Sequence, residues 1–399
     1  MIPVDEIENA SRMIASQILK TPLAYSPTLS RMFGEEIYLK LENLQRTGSF
    51  KIRGALYKLL LHLDSIGPKG VVAASAGNHA QGVALAARQA NLPATIVMPE
   101  WVSISKQQAT HNYGGEVIIH GKNVGESLTH AQKLAEDGRT FIHPFDDRDI
   151  MCGQGTIGLE MMRDLPAIDL IVVPIGGGGL ISGIAAAAKA LKPDVRVVGV
   201  QAAACPSAFE ALRQRRLHRV QASASIADGI AVRQTGKLTF EMISRLVDDI
   251  VLVEEEHIAA AILMLLERKK TLAEGAGAVP LAALLKGAIA LPRGGKVALV
   301  ISGGNVDSPL LGRIINQGLL KNSRIMRISV CLDDTPGSLA RLLGRVAHLK
   351  ANVLNIFHDR NVQDIPINVT RVDLELETRG PEHVKDVLED LQVSGYALQ

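Results

Sequence analysis

Residues 171 to 188 carry no charged side chain, yet Pro174 and four consecutive glycines, Gly176-Gly177-Gly178-Gly179, interrupt the run. Its length raises the question of a membrane span, but a proline and a glycine run would break a spanning helix. The segment reads instead as an apolar strand over 170 to 174, a glycine loop, and a helix over 181 to 191. A strand that is apolar on both faces belongs inside a parallel sheet, covered on each side by helices. From residue 70 onward the chain repeats that arrangement. A strand at 70 to 74, a helical pattern at 78 to 90 and a strand at 94 to 98 form a βαβ unit, and further strands are predicted at 116–119, 140–143, 195–200, 250–253 and 296–301. The expected class is α/β, with two open, mostly parallel sheets and helices on both faces. Two sheets are more natural than one, since about 320 residues exceed what one doubly wound core usually contains.

The pattern changes after Leu320, where Lys321-Asn322-Ser323 reads as a linker. An alternating strand follows at 324 to 332, then a turn at Asp333-Asp334-Thr335-Pro336-Gly337, a helix at 338–349, strands at 352–358 and 367–377, and a helix at 381–391. Tyr396-Ala397-Leu398 offers a last strand. This order predicts a small α+β ferredoxin-like domain, one helical layer on one antiparallel sheet.

Charge argues for small-molecule partners. With 43 basic and 41 acidic residues there is no electrostatic case for nucleic acid, and Arg213-Gln214-Arg215-Arg216 reads as a solvated helix face. The three cysteines, Cys152, Cys205 and Cys331, lack metal or redox spacing, and no secretory pattern opens the chain, so a reducing, cytoplasmic setting without a membrane is expected.

The chemistry centres on Lys51, in Thr47-Gly48-Ser49-Phe50-Lys51-Ile52-Arg53-Gly54-Ala55. Apolar residues at 50, 52, 55, 56, 59, 60 and 63 recur at helical spacing, with Ser49 or Gly48 as the cap. Lys51 then falls in the first helical turn, where the helix dipole, partial burial and nearby Arg53 all favour a neutral, nucleophilic amine. Taken alone, such a residue is also an ordinary surface lysine. The tetraglycine supplies converging backbone N–H groups ahead of a helix N-terminus, an arrangement suited to phosphate. Neither a P-loop nor a dinucleotide fingerprint is completed there, since Gln201 stands where the acidic residue of the latter belongs. Ser75-Ala76-Gly77-Asn78-His79 and Ser302-Gly303-Gly304-Asn305 also follow strands, and three such loops predict one shared cleft. A lysine with a phosphate loop points to pyridoxal phosphate. The chain has no Gly-x-Ser-x-Gly elbow and no His-Glu-x-x-His helix, Glu254-Glu255-Glu256 reads as a helix start, and His79 reads as a capping or core histidine.

These motifs together resemble the tryptophan-synthase-β class of pyridoxal phosphate enzymes (fold type II), most closely the threonine dehydratases, or threonine ammonia-lyases, over about residues 5 to 320. The tail from about 325 resembles an ACT regulatory domain through Asp334-Thr335-Pro336-Gly337-Ser338-Leu339 and Asn355-Ile356. The resemblance implies a large cofactor-binding domain of residues 1–50 and 153–320, a small catalytic domain of 51–152, and an ACT-like domain of 325–399. It implies that Lys51 holds the cofactor and removes the substrate α-proton. Gly176, Gly177, Gly178, Gly179 and Leu180 would bind phosphate, Asn78 the ring hydroxyl and Phe50 the ring face, with Ser302 facing the pyridine nitrogen. A neutral hydroxyl there favours prompt loss of a β-leaving group. Ser75, Ala76, Gly77, Asn78 and His79 would hold the substrate carboxylate.

The implied reaction converts L-threonine to 2-oxobutanoate and ammonia, and L-serine to pyruvate, in a homotetramer or homodimer with an amino-acid effector at the ACT-like domain. Serine racemases of this class carry a serine where Ala76 stands, so racemisation is disfavoured. Those relatives bind a divalent cation through acidic residues where Gln201 and Ser207 stand here, so no divalent metal is expected, and a monovalent cation is left open. Threonine synthases place Asp where Ile52 stands. A serine or 3-hydroxyaspartate dehydratase, or a catalytically silent amino-acid-binding regulator, remains the alternative.

Overall fold

The computed structural model describes residues 1–363 and 365–398. Contacts divide the chain into two compact units, Met1–Asp307 and Ser308–Gln399. Helix Ser308–Lys321 opens the second unit.

The first unit contains two sheets. One has six strands in the spatial order Leu23–Tyr25, Glu36–Leu41, Lys296–Ile301, Leu170–Pro174, Arg196–Ala202 and Asp249–Val253. All its pairings are parallel except the first. The other sheet is parallel throughout, in the order Glu116–Ile119, Ala94–Met98, Val71–Ala74 and Thr140–Phe141. Strands Leu170–Pro174, Ala94–Met98 and Val71–Ala74 are buried at every residue, as double-sided cover by helices requires. Strands Leu23–Tyr25 and Glu36–Leu41 did not stand out in the sequence. One is three residues long, and the other carries Lys40, whose charge disguises a fully buried position.

Close packing explains the small residues of the helices. Arg148–Asp164 and Gly179–Leu191 approach so tightly that a Cβ at Gly183 would lie 2.2 Å from the Met151 carbonyl oxygen. Helix Lys51–Leu61 begins as expected, but the expected cap is corrected. Phe50, in a helical conformation, occupies the capping position without a side-chain bond, and the Ser49 hydroxyl is buried without a partner.

What fixes this helix is Arg53, which is fully buried. Its Nε and Nη2 donate to Glu42 at 2.8 Å each, its Nη1 and Nη2 donate to Glu160 at 2.6 and 3.0 Å, and Nη1 also meets Thr156 Oγ1 at 3.1 Å. Lys40 Nζ joins the same Glu160 carboxylate. One guanidinium thus ties the helix to the turn after strand Glu36–Leu41 and to helix Arg148–Asp164.

The second unit has an antiparallel sheet in the order Asn352–Asp359, Val369–Glu377, Ile325–Asp333 and Ala397–Leu398. Helices Ser338–His348 and Pro381–Val393 supply Leu342, Val346, Val387 and Leu391 to a core shared with Val330, Val372, Leu374 and Leu376. This is the expected ferredoxin-like α+β layout. The linker reading at Lys321 is corrected, because that residue still belongs to a helix.

Removing one partner of a buried ion network strands the other charges. Arg53→Leu is therefore expected to destabilise the fold by about 3 to 5 kcal/mol, read as a lowered midpoint in urea unfolding.

Candidate active site

Lys51 and Ser302 are far apart in sequence but meet through backbone pairing. Ser49 forms an antiparallel bridge with Gly303, Phe50 N donates to the Ser302 carbonyl at 3.2 Å, and Gly304 N donates to the Gly48 carbonyl at 2.9 Å. This stitching places the first turn of helix Lys51–Leu61 against the carboxyl end of strand Lys296–Ile301. Ser302 is buried there. Lys51 Nζ lies 2.9 Å from the Pro144 carbonyl oxygen and 5.1 Å from the centre of the Phe50 ring. Burial brings its amine down to about 8, and the Glu274 carboxylate opposes that shift. The Arg53 contribution expected from sequence is corrected: its guanidinium is engaged by Glu42 and Glu160, and desolvation is what lowers Lys51.

The glycine loop leaves the buried strand Leu170–Pro174 and enters helix Gly179–Leu191. Gly178 has φ of 100°, a left-handed conformation that favours glycine, and a Cβ at Gly177 would sit 2.2 Å from the Phe145 ring. Thr239 Oγ1 donates to the Gly177 carbonyl at 2.7 Å. No carboxylate occupies the first turn of the helix, so its free N–H groups and positive end suit an anion. Leu180 is buried within that turn. The donor set fits a phosphate ester.

Ser75, Ala76 and Gly77 connect strand Val71–Ala74 to helix Asn78–Gln89. Ser75 Oγ accepts from Gly77 N at 3.2 Å. Asn78 Nδ2 donates to Glu274 Oε1 at 2.7 Å, and Asn78 Oδ1 accepts from Asn305 Nδ2 at 2.8 Å. Asn305 also donates to the Thr47 carbonyl at 2.8 Å, which draws three of the four sequence motifs together. The His79 ring is buried with Nε2 3.0 Å from the Ile142 carbonyl, and burial holds it down at about 3. It is a neutral core histidine bonded to the backbone of Ile142.

Glu274 escaped the sequence reading. It precedes helix Gly275–Lys286, is buried, and is pushed up to about 7 by burial and then by Asp228, with the Asn78 bond and Lys106 and Lys51 opposing. A Cβ at Gly303 would lie 2.4 Å from its Oε1. The only signal was local: an acidic residue before Gly275-Ala276-Gly277, which repeats the small-residue character of the other loops. Gln201 and Ser207 are held by protein partners: Gln201 Oε1 accepts from Ala208 N and Phe209 N, and Ser207 Oγ donates to the Val232 carbonyl. Among the described residues, no cluster of three or more His, Cys, Asp or Glu could hold a metal ion.

Residues 14–303 match the family described as pyridoxal-phosphate dependent enzyme. The chain belongs to that family. The cofactor of this pyridoxal-phosphate dependent enzyme is therefore the one that its lysine and glycine loop suit. It is 49% identical over 400 aligned positions to an L-threonine ammonia-lyase of Thermotoga maritima, covering 100% of this chain and 99% of the relative. Among solved structures it is similar to a T.th. threonine deaminase, with a TM-score of 0.72, 39% identity, and coverage of 76% of this chain and 99% of that one. It is also similar to maize serine racemase, with a TM-score of 0.75, 34% identity, and coverage of 81% and 99%.

The lowered amine gives a direct test. In cofactor-free protein, reductive labelling of Lys51 by an aldehyde, followed by peptide mass analysis, is expected to rise with pH through a midpoint near 8. Ordinary lysines should rise near 10.5. A Lys51 midpoint matching theirs would show that burial does not neutralise it.

Proposed function

We propose that this chain is an L-threonine ammonia-lyase that also accepts L-serine. The observation that carries the reading is Lys51: an amine lowered to about 8, held at a helix start beside a glycine loop fit for phosphate, in a chain 49% identical throughout to a protein of that name. Bound pyridoxal phosphate supplies an aldehyde that condenses with amines and a ring that accepts the electron pair left at the substrate Cα.

The chain's own residues supply the rest. Amides of Gly176, Gly177, Gly178, Gly179 and Leu180 would hold the phosphate, with Phe50 for the ring face, Asn78 for the ring hydroxyl and Ser302 for the ring nitrogen. Lys51 would hold the cofactor through its amine and would be the base placed to take the substrate Cα proton. Backbone amides of Ser75, Ala76, Gly77, Asn78 and His79 hold the substrate carboxylate at the start of a helix. Ala76 offers no hydroxyl opposite Lys51, so one proton-transfer group serves Cα and elimination is favoured over racemisation. Loss of the β-hydroxyl as water leaves an enamine, which adds water and releases ammonia and 2-oxobutanoate.

We further assign residues 325–399 to an ACT-like sensor for an amino-acid effector, in a homo-oligomer, and keep 1–50 with 153–320 and 51–152 as the two catalytic lobes. The ferredoxin-like sheet supports the sensor reading.

Purified protein is expected to show a visible cofactor band that is lost in Lys51→Ala, together with a fall in threonine turnover of at least about a thousandfold. Keto-acid release should be faster from threonine than from serine or 3-hydroxyaspartate. A band without turnover of any of the three would favour a silent regulator. Adding a branched-chain amino acid to the full-length enzyme should raise the threonine KM or steepen its saturation curve. Unchanged kinetics with every branched-chain amino acid would remove the sensor assignment.

A further inference from the structure

Residues 143 to 146 were unremarkable in the sequence, where 143 closes a predicted strand and 144 to 146 match no motif. In the fold they join Lys51 to the glycine loop. The Pro144 carbonyl receives Lys51 Nζ at 2.9 Å. The Phe145 ring covers Gly177, and a Cβ at Gly179 would lie 2.9 Å from the Phe145 carbonyl oxygen. Asp146 accepts the N–H groups of Lys237, Leu238 and Thr239 at 3.0, 2.9 and 3.2 Å, at the start of helix Lys237–Leu246. Thr239 in turn donates to the Gly177 carbonyl.

A single atom holds this turn in shape. His143 Nδ1 accepts from Phe145 N at 3.2 Å and from Asp146 N at 2.7 Å, and its ring packs edge-on against Phe145 at 4.8 Å between centres. Two N–H groups pointing at one ring nitrogen require that nitrogen to carry a lone pair, so the ring is neutral with its proton on Nε2. Burial supports that state, lowering the imidazole together with the Lys51 and Lys58 charges, against Asp146 and Asp147.

We propose that His143 is a positioning residue that fixes, through Nδ1, the turn placing Lys51, the glycine loop and the start of helix Lys237–Leu246 relative to one another. Contacts to Lys51, to the glycine loop and to helix Lys237–Leu246 leave from three successive residues, and one acceptor fixes the turn that carries them. A core histidine that only filled space would not require an acceptor at Nδ1. The inference rests on the roles proposed above for Lys51 and the glycine loop.

Asparagine places an oxygen close to the position of Nδ1, whereas the longer glutamine places its amide nearer Nε2. Holoenzymes of the parent, His143→Asn and His143→Gln would be compared by the pH midpoint of the visible cofactor band and by the rate of pyridoxal phosphate loss on dilution, with circular dichroism as a check of folding. The Gln variant is expected to lose cofactor about tenfold faster, because two half-buried N–H groups lose their acceptor, and to shift its midpoint, while the Asn variant stays within about twofold of the parent. Parent-like behaviour of the Gln variant, or equal impairment of both, overturns the proposal. If the Gln variant does not fold, the Asn variant decides: parent-like values support the acceptor role, and impairment or misfolding overturns it. A parent without the band sinks the Lys51 reading as well, whereas a parent with the band and indistinguishable variants sinks only this one.

Discussion

Arg53 is the constraint on which the candidate site depends. A guanidinium removed from water is unfavourable unless its donors are met, and here two carboxylates and a threonine hydroxyl meet them. Because Arg53 lies two residues beyond Lys51, fixing it between Glu42 and Glu160 also fixes where the lysine leaves its helix. The pairing of Ser49 with Gly303 then sets the direction of approach. Lys51 is positioned by a buried ion network on one side and by backbone bonds on the other, so its own side chain remains available for chemistry.

The same low-dielectric setting acts on two groups in opposite senses. Burial takes the Lys51 amine down to about 8 and the Glu274 carboxyl up to about 7. Each pushes back on the other, since an ammonium favours a carboxylate and a carboxylate favours an ammonium. Asn78 bonds Glu274 directly, so the residue expected at the cofactor's ring hydroxyl is oriented by the group whose charge bears on the lysine. A readily deprotonated amine near physiological pH results from this placement.

Much of the fold was legible because parallel strands covered on both faces leave a plain record of short Val, Ile, Leu and Ala runs. Strands 94–98 and 170–174, of this kind, matched the prediction to the residue, as did the edge strand 116–119. Glu36–Leu41 was lost because Lys40 is a charge buried in an ion pair, which composition cannot distinguish from a solvated one. The Ser49 cap failed because the residue's backbone was recruited into a pairing with Gly303. His143 and the 143–146 turn carry no repeat, no glycine run and no motif, and Glu274 had only the small residues that follow it; their importance comes from what lies across from them.

The order of residues alone specifies the chemistry available: one lysine at a helix start, a glycine run after an apolar strand, and two further strand-end loops. Those choices are local, set by backbone conformations and free N–H groups that neighbouring residues dictate. Protonation state and geometry arise only once the chain has folded. Desolvation, ion pairing and the meeting of residues 48–50, 144–146, 274 and 302–305 depend on distances between segments remote along the chain, and no local pattern encodes those distances.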